Sequence, residues 1–163
     1  MRKWIAIAAG IIVLALVNFT IYQREHLLRD GKVVLLELAP VDPRSLMQGD
    51  YMALNFAIAN QAFPWNMRDK LTDGHLVVTL DANSVGKLRR FADGKPLAAD
   101  ELLLRYRVRN GQAKFATNAF FFQEGQGALY EKARYGEFRV APDGEMILDA
   151  MRDAQFRRLG VAQ

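Results

Sequence analysis

Asp42, Arg44 and Asp50 lie within nine residues and stand beside Tyr51, so they could meet as one polar cluster. Two outcomes follow from those residue types. The carboxylates can hold the loop as a capped turn braced by a salt bridge, or the cluster can present a small site for a ligand or partner. Nucleophilic chemistry is harder to assemble. Ser45 and Ser84 are the only serines, and a serine–lysine dyad needs a lysine desolvated enough to lose its proton. Lys70, Lys87, Lys95 and Lys114 all sit in polar or turn contexts. With no cysteine in the chain, a disulfide framework, a thiolate zinc site and a cysteine nucleophile are excluded together. His26 and His75 are the only histidines. Glu25 points away from His26 on a helix, and no acidic residue stands at ligand spacing from His75. No catalytic residue, metal or cofactor is therefore expected.

Two further charge patterns carry less specific chemistry. Glu124, Glu131 and Glu137 flank aromatics near Gly125-Gln126-Gly127. Paired carboxylates cleave glycosidic bonds only at a defined separation, and a solvated charged edge is the expected role. Arg105, Arg107 and Arg109 recur at every second position, which puts three cations on one face of a strand. A solvent face is expected there, with contact to anionic lipid, polymer or an acidic partner as the alternative.

These residues need elements to position them. Residues 4–17 carry no polar side chain except the Trp4 indole, and residues 18–22 extend the run to 19. A helix of that length spans about 28 Å, close to the hydrocarbon thickness of a bilayer. Trp4 and Tyr22 fall at its ends, where amphipathic rings favour the headgroup level. No small-x-small cleavage pattern follows the run, so a retained anchor is expected rather than a signal peptide. Arg2 and Lys3 favour a cytoplasmic N-terminus. The expected organisation is a cytoplasmic tail (1–3), a transmembrane anchor (4–22), a helical juxtamembrane connector (23–31) and an extracytoplasmic domain (32–163).

That domain reads as mostly β. Residues 33–38, 75–80, 85–91 and 102–109 are rich in β-branched or alternating apolar side chains and are bounded by turn dipeptides. Over residues 50–59 strict alternation puts Met52, Leu54, Phe56 and Ile58 on one face, predicting a half-buried strand. Asn110-Gly111 predicts a hairpin returning through Ala113 and Phe115. Residues 120–123 start another strand, and residues 138–141 and 145–148 pair across Pro142-Asp143-Gly144. Residues 128–135 are the one segment of good helix formers. Asp42 and Pro43 suit the start of a helical turn over residues 44–48, and Gly49 suits its end. The fold class expected is a small antiparallel barrel or sandwich with one short helix. Excluding Arg2 and Lys3, the chain holds 20 Lys and Arg against 18 Asp and Glu, too balanced for a nucleic-acid footprint.

Gly49, Asp50, Tyr51 and Leu54, with Phe56 in place of a final tyrosine, resemble the signature of the GDYXXLXY family of membrane-anchored proteins. The preceding Pro-Val-Asp-Pro-Arg run and residues 120–140, F-F-F-Q-E-G-Q-G-A-L-Y-E-K-A-R-Y-G-E-F-R-V, are similar to it as well. The resemblance implies an anchored protein and no particular reaction. A looser likeness links the anchor, the β domain and the Gly-Asp strand to type I signal peptidases. The position of their nucleophilic serine is Val41 here, followed by Asp42, which leaves only Ser45 nearby.

The function expected is a membrane-anchored accessory domain, held in the lipid bilayer of the inner membrane with its domain in the periplasm, docking onto another membrane or envelope protein. A serine hydrolase acting through Ser45, or a small-ligand or glycan-binding β domain, are the alternatives. Asp42, Arg44, Gly49, Asp50, Tyr51 and Leu54 are the candidate binding residues. Phe120, Phe121 and Phe122 cannot all enter one core from a single strand. Phe121 and Phe122, with Tyr130 and Tyr135, are therefore the candidate interaction surface.

Overall fold

Glycine at 31 marks the joint on which the architecture turns. A computed structural model describes residues 2–39, 47–48, 51–64, 71–109, 111–117 and 119–160. Helix α1 (Arg2–Asp30) runs unbroken into that joint. The expected anchor and connector are thus one helix, closed by the Gly31 N–H donating to the Leu27 carbonyl at 2.9 Å. Arg29 lies in the last turn, where a cation complements the helix dipole.

The remaining elements are β1 (Lys32–Glu37), β2 (Met47–Gln48), β3 (Tyr51–Ala53), α2 (Ala57–Ala62), β4 (Gly74–Leu80), β5 (Gly86–Phe91), β6 (Glu101–Arg109), β7 (Gln112–Lys114), β8 (Ala119–Phe121), α3 (Gly127–Tyr130), β9 (Tyr135–Val140) and β10 (Met146–Arg152). They form three antiparallel sheets with strand orders β1-β9-β10, β2-β3-β8 and β5-β4-β6-β7. The sheets are linked at their edges. Leu35 bridges Val85 in parallel fashion, Leu38 bridges Phe56, and the Arg105 N–H donates to the Gly144 carbonyl at 2.9 Å.

Wrapped this way, the sheets make a half-closed barrel around one core. Val34, Leu36, Leu76, Val78, Leu104, Phe138 and Met151 fill it. Phe56 meets Phe115 and Phe138 edge-on, at centroid distances of 6.2 and 5.4 Å. Gly144 takes φ +86 in the turn between β9 and β10. A Cβ there would press within 3.2 Å of His75, Leu103 and the Arg105 amide.

Three expectations change. The strand predicted over residues 50–59 ends at Ala53, and α2 follows. Met52, Leu54, Phe56 and Ile58 are all buried nonetheless. Helical spacing brings Ile58 and Ala62 inward together, so the burial pattern survives the change of element. Met47 and Gln48 pair with β3 rather than completing a helical turn. The helix predicted over 128–135 shrinks to α3, and Tyr135 already belongs to β9. The domain therefore has two short helices, not one. The side chains of residues 2, 5, 6 and 8 fall outside the described set, and among the described residues no helix is long and apolar enough to cross a membrane.

Candidate functional site

Of the six candidate binding residues, Asp42, Arg44, Gly49 and Asp50 lie outside the described residues, as does Ser45. Tyr51 and Leu54 part company. Leu54 is a core residue at 4 % exposure, whereas Tyr51 opens β3 and stands directly opposite Phe121 of β8. Their rings are 5.7 Å apart at 41°. The tertiary structure thus brings the Tyr51 segment and the triple-phenylalanine run onto one small sheet, a meeting that neither segment announces alone.

The other aromatics divide by strand parity and by layer. Phe121 points out, 74 % exposed. Phe120 and Phe122 instead flank Tyr130 at 4.9 and 5.1 Å, and Tyr130 is buried at 6 %. Tyr135 belongs to the β1-β9-β10 sheet, where it packs on Phe156 at 5.0 Å.

The alternating arginines of β6 build a cleft rather than a flat face. Arg105, Arg107 and Arg109 form one wall, Lys114 of β7 and Thr117 continue it, and Arg24 closes it from α1. The space enclosed is about 480 Å³. Glu145 is the acidic side chain lining it. Its Oε1 accepts a close bond from Arg105 Nη1 and a second from Arg107 Nη2 at 3.3 Å. Arg109 approaches Asp73 at 3.9 Å. Among the described residues neither Arg24 nor Lys114 forms an ion pair with a carboxylate. An apolar groove of about 540 Å³ continues the cleft past Arg24 and Thr117, along Leu28, Phe120 and Ile147.

A second arginine cluster was hidden from sequence. Glu137, expected at a solvated edge with Glu124 and Glu131, is buried at 1 % exposure in the central strand β9, while the other two are exposed. Its carboxylate accepts from Arg152 Nε at 2.6 Å and from Arg158 Nε at 2.9 Å, with a further close bond from Arg158 Nη2. Asp149 joins them, bonded to Arg139 at 3.1 Å and Arg158 at 2.7 Å. A register shift between Leu148 and Ala150 leaves Asp149 as the extra residue of a bulge, a device that re-aims a side chain. Burial works against ionisation of Glu137, but hydrogen bonds from Arg158 and Arg152 outweigh it and hold the carboxyl below the ordinary glutamate range. An ionised group saturated by guanidinium donors is a staple, not a proton carrier. The only hint in sequence is a glutamate within Tyr-Gly-Glu-Phe-Arg-Val, with Arg152, Arg157 and Arg158 downstream.

Among the described residues no three His, Asp or Glu side chains converge on a metal position. His26 pairs with Asp30 along α1 at 3.3 Å. A family model described as GDYXXLXY protein matches residues 13–151, from within the apolar part of α1 to Met151 in β10. Neither a curated protein nor a solved structure matches the chain.

Proposed function

The chain belongs to the GDYXXLXY family, and on that premise we propose that it is a single-pass membrane protein whose β domain stands outside the cytoplasm and docks onto another membrane or envelope protein. The observation that carries this reading is the sheath of α1. Ile11, Ile12, Val13, Leu14, Leu16, Val17, Phe19 and Ile21 surround the helix, each 50–63 % exposed. Side chains of this kind gain about 1.5–3 kcal/mol each on leaving water, so eight represent on the order of 10–20 kcal/mol. A domain whose whole stability is about 5–15 kcal/mol does not leave that much uncovered. Lipid is the cover that fits residues 11–21, the part of α1 with apolar side chains all round it, and the proposed span adds residues 4–10 to that part.

The polar residues within the sheath agree. Asn18 Nδ2 donates to the Leu14 carbonyl at 2.8 Å, and Thr20 Oγ1 to the Leu16 carbonyl at 2.9 Å. Each side chain makes a hydrogen bond within its own helix, which lowers the cost of placing it in hydrocarbon. Arg2 and Lys3 at one end favour a cytoplasmic N-terminus. For docking, Phe121 is the exposed aromatic closest in chemistry to an interface anchor, backed by Tyr51 on the neighbouring strand.

A photoreactive phenylalanine analogue at position 121, combined with alkaline extraction of membranes, tests both halves. The protein should stay in the membrane pellet and crosslink to one membrane protein. Release into the supernatant refutes the anchor. Retention with no protein crosslink refutes the docking role.

A further inference from the structure

We infer that the cleft between the base of α1 and the arginine wall of β6 binds the phosphate of an anionic phospholipid. The inference rests on the anchor reading above. Charge is the first argument: five cations line the cleft against one carboxylate in its lining, Glu145, which Arg105 and Arg107 already share, while Arg109 stands 3.9 Å from Asp73 outside it. Arg24 and Lys114 are uncompensated among the described residues, so the cleft holds a strong positive potential. Guanidinium donors in a fixed fork suit phosphate oxygens.

Shape is the second argument. The cleft opens into the apolar groove along Leu28, Phe120 and Ile147. Leu28 stands four residues beyond Arg24, about 6 Å farther from the bilayer, so the groove walls the outer side of the cleft while the acyl chains of a lipid held there run inward along α1. Position is the third. Arg24 follows Tyr22 by two residues, about 3 Å along the helix axis, which sets it at headgroup level when residues 4–22 span the bilayer. A cationic pocket at that depth meets the phosphodiester rather than water or hydrocarbon.

The test is reconstitution of the full chain in nanodiscs of phosphatidylcholine alone or mixed with phosphatidylglycerol, followed by native mass spectrometry of retained lipid. The wild type should retain one phosphatidylglycerol in preference to phosphatidylcholine. The R24Q/K114Q double variant removes the two uncompensated cations and should reduce that retention about tenfold or more. The K87Q/K132Q variant removes two exposed cations elsewhere and should retain lipid as the wild type does. Circular dichroism of both variants should match the wild type. Equal retention of the two lipids, or equal loss in both variants, overturns the headgroup site while leaving the anchor intact. Displacement of phosphatidylglycerol by inorganic phosphate at matched concentration assigns the cleft to a soluble phosphate and overturns the lipid. Failure to enter nanodiscs of either composition refutes the anchor itself.

Discussion

Two arginine clusters on one domain have opposite characters. Around Glu137, the guanidinium groups of Arg139, Arg152 and Arg158 converge on two carboxylates, one of them wholly buried. Around Glu145, Arg105 and Arg107 share one partly exposed carboxylate, Arg109 stands 3.9 Å from the exposed Asp73, and Lys114 and Arg24 have no carboxylate partner among the described residues. Arginine content is similar; the ratio of acid to base and the depth differ. Where two carboxylates answer three cations and one of those carboxylates is fully buried, the charges bind each other and become part of the fold. Where cations have no carboxylate partner, charge remains to act on something else. That contrast separates a staple from a candidate binding surface better than residue type does.

The contrast is broken most directly by E137Q. It leaves Arg152 and Arg158 without their shared anion, and removing one partner of a buried ion pair costs about 3–5 kcal/mol. Urea unfolding of the reconstituted protein should show a loss of that size. A loss under about 1 kcal/mol would place Glu137 among the exposed pairs.

Acid should reveal the same staple. Glu137 is held below the ordinary glutamate range by Arg158 and Arg152 despite its burial. Asp153 is also depressed: its burial opposes ionisation, but the Arg157 amide and guanidinium and the Gln155 amide outweigh it. A depressed carboxyl contributes stability that is complete above its unfolded-state value and fades as pH falls through its folded-state value. Thermal midpoints should therefore drop on acidification below about pH 5, and E137Q should flatten that drop. A midpoint rising on acidification would contradict the assignment.

Smaller effects sharpen the other side. E145Q removes the one acid lining the cleft. Its cost in stability should stay under about 1 kcal/mol, as for an exposed pair, while retention of phosphatidylglycerol should rise. F121S should change stability by no more than about 0.5 kcal/mol, as exposed positions do. Capture of a membrane partner by a photoreactive residue placed at Tyr51 should nevertheless fall in that variant.

Much of the β framework was legible because its signals are local. The strands near residues 33–38, 75–80, 85–91 and 102–109 appear as β1, β4, β5 and β6 with small changes of boundary. The return after Gly111 pairs β7 with β6. Buried alternation at Met52, Leu54, Phe56 and Ile58 was readable too, although the backbone changes from strand to helix beneath it. Apolar side chains report which way they face; they do not report the backbone that turns them there. The candidate site was less legible. Phe121 stood out as one of three phenylalanines that could not share a face, but Tyr130 and Leu54 proved to be core residues. Glu137 looked like its exposed neighbours Glu124 and Glu131 because strand parity is silent on whether a sheet's second face is covered.

Local pattern by itself determined the apolar helix, the positions of the principal strands, the turn residues and the family. Those depend on side-chain periodicity and backbone preference over a few consecutive residues. Only the tertiary structure decided that Tyr51 meets Phe121, that β9 is a central strand, and that Arg24 closes a cleft begun by Arg105 and Lys114. Each of these joins residues far apart in the chain. Strand order and helix docking set such meetings, and no short-range periodicity encodes them.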